Sequence, residues 1–226
     1  VRQGARHHWK LSAVKTVPVL QLCEANREAL RRHFFALDAE DLRLRFEHAI
    51  GETTLHKYVD AIDFERDAVF GVFDERLELA GVAHLGLRGD FAEFGVSVLA
   101  GHRGKGVGTA LFRRAYEYCR NHRIGTLFVH CLKENAAMIH IARKAGMRIV
   151  LDAAEVEAHL RVPPGDPLSY AEEFIEERVG LFDLALKSQF LAARTFTEAL
   201  ANAAETLVRP LQQEEGGESQ EDEKTA

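Results

Sequence analysis

The run Arg103-Gly104-Lys105-Gly106-Val107-Gly108-Thr109 sets three glycines and two cations directly behind a strand-like segment and ahead of a helix-like one. Glycine-rich turns at such a junction expose several backbone N–H groups. The dipole of the following helix adds positive potential, so a pyrophosphate can be held there without a metal. Gly106 and Gly108 permit close approach, and Arg103 and Lys105 can add charge-assisted contacts to phosphate oxygens. A Walker loop requires Gly-Lys followed by Ser or Thr, whereas Lys105 is followed by Gly106. A dinucleotide fingerprint begun at Gly106 would require glycine where Leu111 stands. Both nucleotide-binding patterns are therefore excluded.

The second chemical candidate is Glu93, an acid inside the apolar segment from Phe91 to Leu99. Strand alternation places Phe91, Glu93, Gly95 and Ser97 on one face and Phe94, Val96 and Val98 on the other. A carboxylate there serves either as a general base or as an edge residue paired with Arg88 or His84. No metal site is expected. Cys23, Cys119 and Cys131 form no Cys-x-x-Cys pair and read as buried thiols, and His84, His130 and His140 read as partly buried histidines with satisfied partners.

The surrounding elements follow from periodicity. Val19 to Phe35 and Ala39 to Ala49 have helical spacing, the second after Asp38 as N-cap. Ala68 to Phe73, Leu77 to Leu87 and Phe91 to Leu99 read as an antiparallel meander joined by tight polar turns. After the glycine loop, Val107, Leu111, Ala115 and Cys119 share one face of a helix. Thr126 to Leu132 reads as a strand buried on both faces, and Asn135 to Lys144 as a helix stopped by Gly146. The fold class is α/β (α+β): a mixed sheet with flanking helices and a helical extension.

The glycine loop, as Arg-x-x-Gly-x-Gly, resembles the acyl-CoA pyrophosphate loop of the GNAT family of acetyltransferases. The stretch Asn135-Ala-Ala-Met138 leading to Lys144-Ala-Gly146-Met147 is similar to that family's last motif helix. Asp41-Leu-Arg43-Leu-Arg45-Phe46 together with Ala92-Glu93-Phe94 resembles the acetyltransferase domain of bacterial protein-lysine acetyltransferases. The resemblance implies splayed central parallel strands that admit the cofactor, acetyl-CoA or another acyl-CoA. By the same resemblance, the backbone of Val96, Ser97 and Val98 would pair with pantetheine, and Asn135 would contact its pantetheine side. The pyrophosphate would rest on Arg103, Gly104, Lys105, Gly106, Val107, Gly108 and Thr109. Glu93 would be the catalytic base. Many members carry a Tyr general acid where this chain has Ala142, so that acid is missing. The implied activity is transfer of an acetyl group to a primary amine, on a protein lysine or a small molecule. The alternative is a regulatory or assembly module that binds acyl-CoA without turnover.

Composition bounds the rest. The 226 residues carry 29 Lys and Arg against 35 Asp and Glu, and 46% are hydrophobic. Six acids and one lysine in Gln212 to Ala226 account for most of the net charge of -6, so the remainder offers no bulk electrostatic case for nucleic acid. The apolar runs are shorter than a membrane span, and a cytoplasmic location is expected. The expected organisation is an arm over 1–17, the acyltransferase domain over 18–151, a helical extension over 152–209 and a disordered acidic tail over 210–226. In the extension, Ile175, Val179, Phe182, Leu186, Ala193, Phe196 and Leu200 advance in steps of four and three, interrupted by Gln189. This pattern fits a helix packed back on the domain and equally an arm through which copies of the chain associate as a homo-oligomer.

Overall fold

The computed structural model of the protein describes residues 17–152 and 154–215, with side chains through residue 204. The expected arm therefore lies outside the described residues except for Val17, as does the tail beyond Glu215. By contact the chain divides into two units, Val1–Asp183 and Leu184–Ala226.

The first unit holds a seven-stranded sheet. Its strands are β1 (Leu20–Gln21), β2 (Ala68–Phe73), β3 (Leu79–Arg88), β4 (Phe91–Val98), β5 (Thr126–Leu132), β6 (Arg148–Asp152) and β7 (Glu155–Arg161), in the spatial order β1-β2-β3-β4-β5-β7-β6. The helices α1 (Arg27–Phe35), α2 (Ala39–Phe46) and α3 (Glu52–Ala61) precede the meander. Helix α4 (Val107–Asn121) joins β4 to β5, and α5 (Ala136–Lys144) follows β5. The turn between β2 and β3 closes because Asp74 Oδ1 accepts from the N–H groups of Arg76 at 2.8 Å and Glu78 at 3.0 Å.

Among the described residues β4 and β5 form the one parallel pairing, and it is short. Asp90 pins its start, since the Gly125 N–H donates to Asp90 O and Oδ1, both at 2.9 Å. The rungs Phe91–Thr126, Ala92–Leu127 and Glu93–Phe128 follow, and then the pairing stops. β4 continues on β3 as far as Val98–Gly81, and β5 continues on β7 as far as Leu132–Glu155. The two central strands therefore diverge from Phe94 onward, as the family resemblance implies.

One face of the sheet packs on α4 through Val107, Leu111, Phe112, Ala115 and Cys119, with Phe94 and Phe112 edge to face at 5.2 Å. The opposite face carries α1, where the buried His33 imidazole meets Leu79 O at 2.7 Å and Ser97 Oγ at 2.8 Å. The alternation read along β4 therefore holds, with Phe94 toward α4 and Ser97 toward α1.

Four expectations are corrected. The sheet does not end near Leu151: β7, placed by the sequence in a helical extension over 152–209, lies between β5 and β6. Its Glu-Val-Glu-Ala-His-Leu-Arg alternation buries Val156 and Ala158 and exposes the charges. The helix that follows, α6, spans Pro167–Glu215, so residues 210–215 belong to it rather than to a disordered tail. The glutamines and glutamates after Pro210 are good helix formers. β5 is buried on one face only: Leu127, Val129 and Cys131 are covered, while Phe128 and His130 are half-buried. Cys23 is exposed, and Cys119 and Cys131 are buried.

Within the first unit, α6 docks through a polar face. The Arg114 guanidinium, 2% exposed, pairs with Glu173 at 2.7 Å and lies 4.9 Å from the Phe70 ring centroid. Ser169 Oγ donates to Asn121 Oδ1 at 2.6 Å. A Cβ on Gly180 would stand 2.9 Å from Val19 O, which explains a glycine inside a helix.

Candidate active site

The divergence of β4 and β5 opens a gap between two cavities. The first, about 470 Å³, is lined by Val96, Ser97, Val98, Arg103, Gly104, Gly106, Val107, Gly108, Thr109 and Asn135 among others. These are the predicted cofactor residues apart from Lys105, whose ammonium donates to Gly101 O at 2.7 Å. The second, about 380 Å³, is lined by Glu93 together with Arg45, Tyr58, Asp67, His84 and His130. Leu44, Arg45, Val96, Asn135 and Met138 border both, so the cavities meet at the splay.

The glycine loop has the conformation that its sequence demands. Gly104 and Gly106 have φ of 71° and 85°, a region that L side chains rarely adopt, and no atom lies within 4 Å of a Cβ built on either. Gly106 is the N-cap of α4, so the free N–H groups of the helix's first turn face the first cavity. Gly108 serves packing as well, since a Cβ there would stand 3.2 Å from Ile141 Cδ1.

The β4 edge supplies further donors and acceptors. Leu99 N–H bonds to Ala80 O on the β3 side, and Asp90 O bonds on the β5 side. By alternation the main-chain groups of Phe94 and Val96 face the gap, where no strand partner meets them. Two predicted contacts are already engaged within the protein. Arg103 forms an ion pair with Asp41 and donates to Val98 O at 3.1 Å. Asn135 Oδ1 caps α5 through Met138 N–H at 3.0 Å, while its Nδ2 donates to Leu44 O at 3.3 Å. The Ser97 hydroxyl is taken by His33, so only its backbone is available to a ligand.

In the second cavity Glu93 occupies the last paired rung before the splay. Beside it runs a chain of polar contacts that the sequence did not reveal. Arg45 Nη2 donates to Tyr58 OH at 3.0 Å, Tyr58 OH meets His84 Nδ1 at 2.8 Å, and His84 Nε2 lies 3.2 Å from Asp67 Oδ2. Burial and the Arg45 charge hold the His84 imidazole below its ordinary pKa against the pull of Asp67, and burial raises the Tyr58 phenol. Ala142, the position of the Tyr acid in many family members, is 1% exposed and supplies no proton donor there. Tyr58 comes from α3, an element that escaped the sequence reading; its one signal was Leu55 and Val59 at a spacing of four.

Arg43 is a surface residue paired with Glu40 and Glu134, whereas Arg45, two residues on, enters the site. His130 lies between the half-buried Glu47 at 2.8 Å and the exposed Glu155 at 3.2 Å, a cluster with metal-ligand spacing that the ion pairs of the imidazole already account for.

Residues 27–147 match the acetyltransferase (GNAT) family. The chain is 38% identical over 60 residues to streptothricin acetyltransferase of Streptomyces lavendulae, covering 26% of this chain and 32%, about a third, of that protein. Among solved structures, the GNAT domain of S. lividans PAT superposes with a TM-score of 0.55 at 19% identity, covering 63% of this chain and 89% of that one. The ribosomal-protein-S18-alanine N-acetyltransferase from Escherichia coli matches with 0.51 at 16% identity, covering 66% and 96%. Spermidine N-acetyltransferase from Vibrio cholerae, solved with CoA and spermine, matches with 0.51 at 17%, covering 64% and 94%. At these identities the likeness is one of fold.

Proposed function

The chain belongs to the acetyltransferase (GNAT) family, and on that premise we propose that it transfers the acetyl group of acetyl-CoA to a primary amine. The carrying observation is the junction of the two cavities at Val96, beside Glu93.

The residues of the first cavity fit a pantetheine diphosphate. Gly104 and Gly106 leave open space where side chains would stand, and the α4 N-terminus offers N–H groups to the diphosphate. The main-chain carbonyls of Phe94 and Val96, which lack a strand partner, accept from the pantetheine amide N–H groups. This brings the thioester to the splay, where the Val96 N–H is aimed to stabilise the developing oxyanion. Arg103 serves chiefly to tie α2 to the loop through Asp41, and contributes less to phosphate than its charge suggests.

The acceptor enters through the second cavity as an ammonium. Glu93, directly or through a water, removes one proton, and the amine lone pair attacks the thioester carbon. Collapse breaks the C–S bond and expels the CoA thiolate, while the attacking nitrogen gives up its second proton, directly or through solvent, to that thiolate, leaving a neutral amide and CoA-SH. With an ordinary thiol pKa of about 8.5 the thiolate leaves without the Tyr acid that Ala142 replaces. The carboxylates of Glu47, Asp67 and Glu93 around this cavity suit a cationic acceptor, whether a protein lysine or a small amine.

The test is calorimetric titration with acetyl-CoA, with ATP as comparison, followed by CoA-thiol release over a panel of small amines and lysine peptides. Saturable binding of acetyl-CoA but not ATP, with release dependent on an amine, is expected. Binding without turnover over the whole panel would favour a regulatory acyl-CoA module, and no binding by folded protein would remove the proposal.

A further inference from the structure

α6 carries two faces of different chemistry. Within the first unit Ser169, Glu173, Glu177 and Gly180 lie against the domain. At 100° per residue, the steps of four and three that lie within this unit fall on the opposite side of the helix. There Ile175, Val179 and Phe182 are 58%, 44% and 70% exposed. The second unit by itself continues the spacing with Leu186, Phe196 and Leu200, which are 42%, 66% and 55% exposed. A helix held by its polar face and showing phenylalanines to water is an unpartnered seam.

We propose that this seam pairs with the α6 helix of a second copy of the chain, parallel and in register. Heptad spacing is self-complementary, so the partner that fits it best is the same sequence. With Phe190 at its flank, the exposed part of these side chains amounts to roughly 800 Å² per chain, which is what one side of a standard interface needs.

A polar position inside the seam fixes the arrangement. In a parallel pair in register Gln189, the one polar residue within the seam, faces Gln189 of the second copy and can exchange amide hydrogen bonds with it. A buried polar residue in a coiled-coil seam selects register in this way. A lipid surface is a poorer partner, because cations are scarce on this helix and no described helix is long and apolar enough to cross a membrane.

The experiment is sedimentation equilibrium on the full chain across a concentration series, beside a Phe182→Glu/Phe196→Glu variant. Both substituted positions are exposed, so thermal unfolding of the domain should be unchanged. The expected result is twice the 25.3 kDa chain mass, with the dissociation constant raised about 100-fold or more in the variant. A wild-type chain that stays monomeric, or a dimer that survives both substitutions, would overturn the proposal. Direction is read separately in a Cys23→Ser background. Val179→Cys should oxidise to a covalent dimer if the helices run parallel in register, and failure to cross-link in a chain that does dimerise would overturn that arrangement.

Discussion

The guanidinium of Arg45 fills the space in which a Cβ on residue 95 would stand. A glycine on β4 is therefore required by an arginine on α2, and the same arginine donates to Tyr58 OH. Gly95→Ala should displace Arg45, break that hydrogen bond and reshape the second cavity. A flexible side chain can retreat, so the stability loss should be about 1 kcal/mol or less. Turnover should fall about tenfold or more while acetyl-CoA affinity stays near wild type. Steady-state kinetics beside calorimetry would check this; equal losses in both would mean that Gly95 supports the acetyl-CoA cavity instead.

Gly106→Asp should abolish acetyl-CoA binding. It places an L residue at φ 85° and a carboxylate at the helix N-terminus proposed to hold the diphosphate. The strain alone costs about 1 kcal/mol, and an acid at the end of α4 offsets part of it. Folding should survive, which circular dichroism would show, and binding should not. Gly108→Ala is the contrast: its Cβ presses on Ile141 at 3.2 Å, so it should shift the unfolding midpoint more than its charge-free side chain shifts affinity.

How much of this was legible in the sequence depends on where the constraint lies. The glycine loop, Glu93 and the meander were readable because each is local: a turn that only glycine tolerates, or alternation along one strand. The chain from Arg45 through Tyr58 and His84 to Asp67 was not, because its members come from α2, α3, β3 and the loop before β2 and meet only in the fold. β7 was missed because its apolar positions are small and its outward ones charged, a weak alternation that resembles a loop. The early end of the β4–β5 pairing cannot be seen in either strand alone, since it arises because β4 stays on β3 and β5 stays on β7 while the two part.

Stability should fall with acid through His33. Burial, with help from the Arg45 charge and against the hydrogen bond to Leu79, pushes this imidazole from 6.5 down to about 4. Between those values the unfolded chain binds a proton that the folded chain refuses. Stability therefore rises with pH across the window, is complete above it, and is lost as pH falls toward about 4. The full contribution is roughly 3 kcal/mol. Urea unfolding at pH 7 and pH 4.5 would measure it, with His33→Gln as reference. The gap between wild type and variant should shrink at the lower pH, and a constant gap would mean that His33 takes up its proton without cost to the fold.

Glu93→Gln should lower turnover about 100-fold with little change in acetyl-CoA affinity, because the amide keeps the shape and loses the base. The deficit should narrow as pH rises toward the pKa of the acceptor, about 10.4 for a lysine, since hydroxide and bulk water then supply the neutral amine. A pH–rate profile of both proteins would show the convergence. A parallel offset at all pH values would give Glu93 a role in holding the acceptor.

Breaking the pair between Glu173 and Arg114 should be the costliest change on α6. Arg114 is 2% exposed, and Glu173 meets both its guanidinium at 2.7 Å and the Asn121 amide at 2.6 Å. Glu173→Ala leaves a buried cation whose remaining carboxylate, Glu177, is 3.4 Å away. A loss of about 3 kcal/mol is expected. Arg114→Met should cost less, because the thioether still packs on Phe70 and the freed Glu173, already 16% exposed, can take up water. Glu198→Ala, which breaks an exposed pair with Arg194, should cost at most about 0.5 kcal/mol. Unfolding midpoints of the three variants would order them. If Arg114→Met proved the most damaging, the guanidinium would be valuable as packing and hydrogen bonding in its own right, and the carboxylates would be secondary to it.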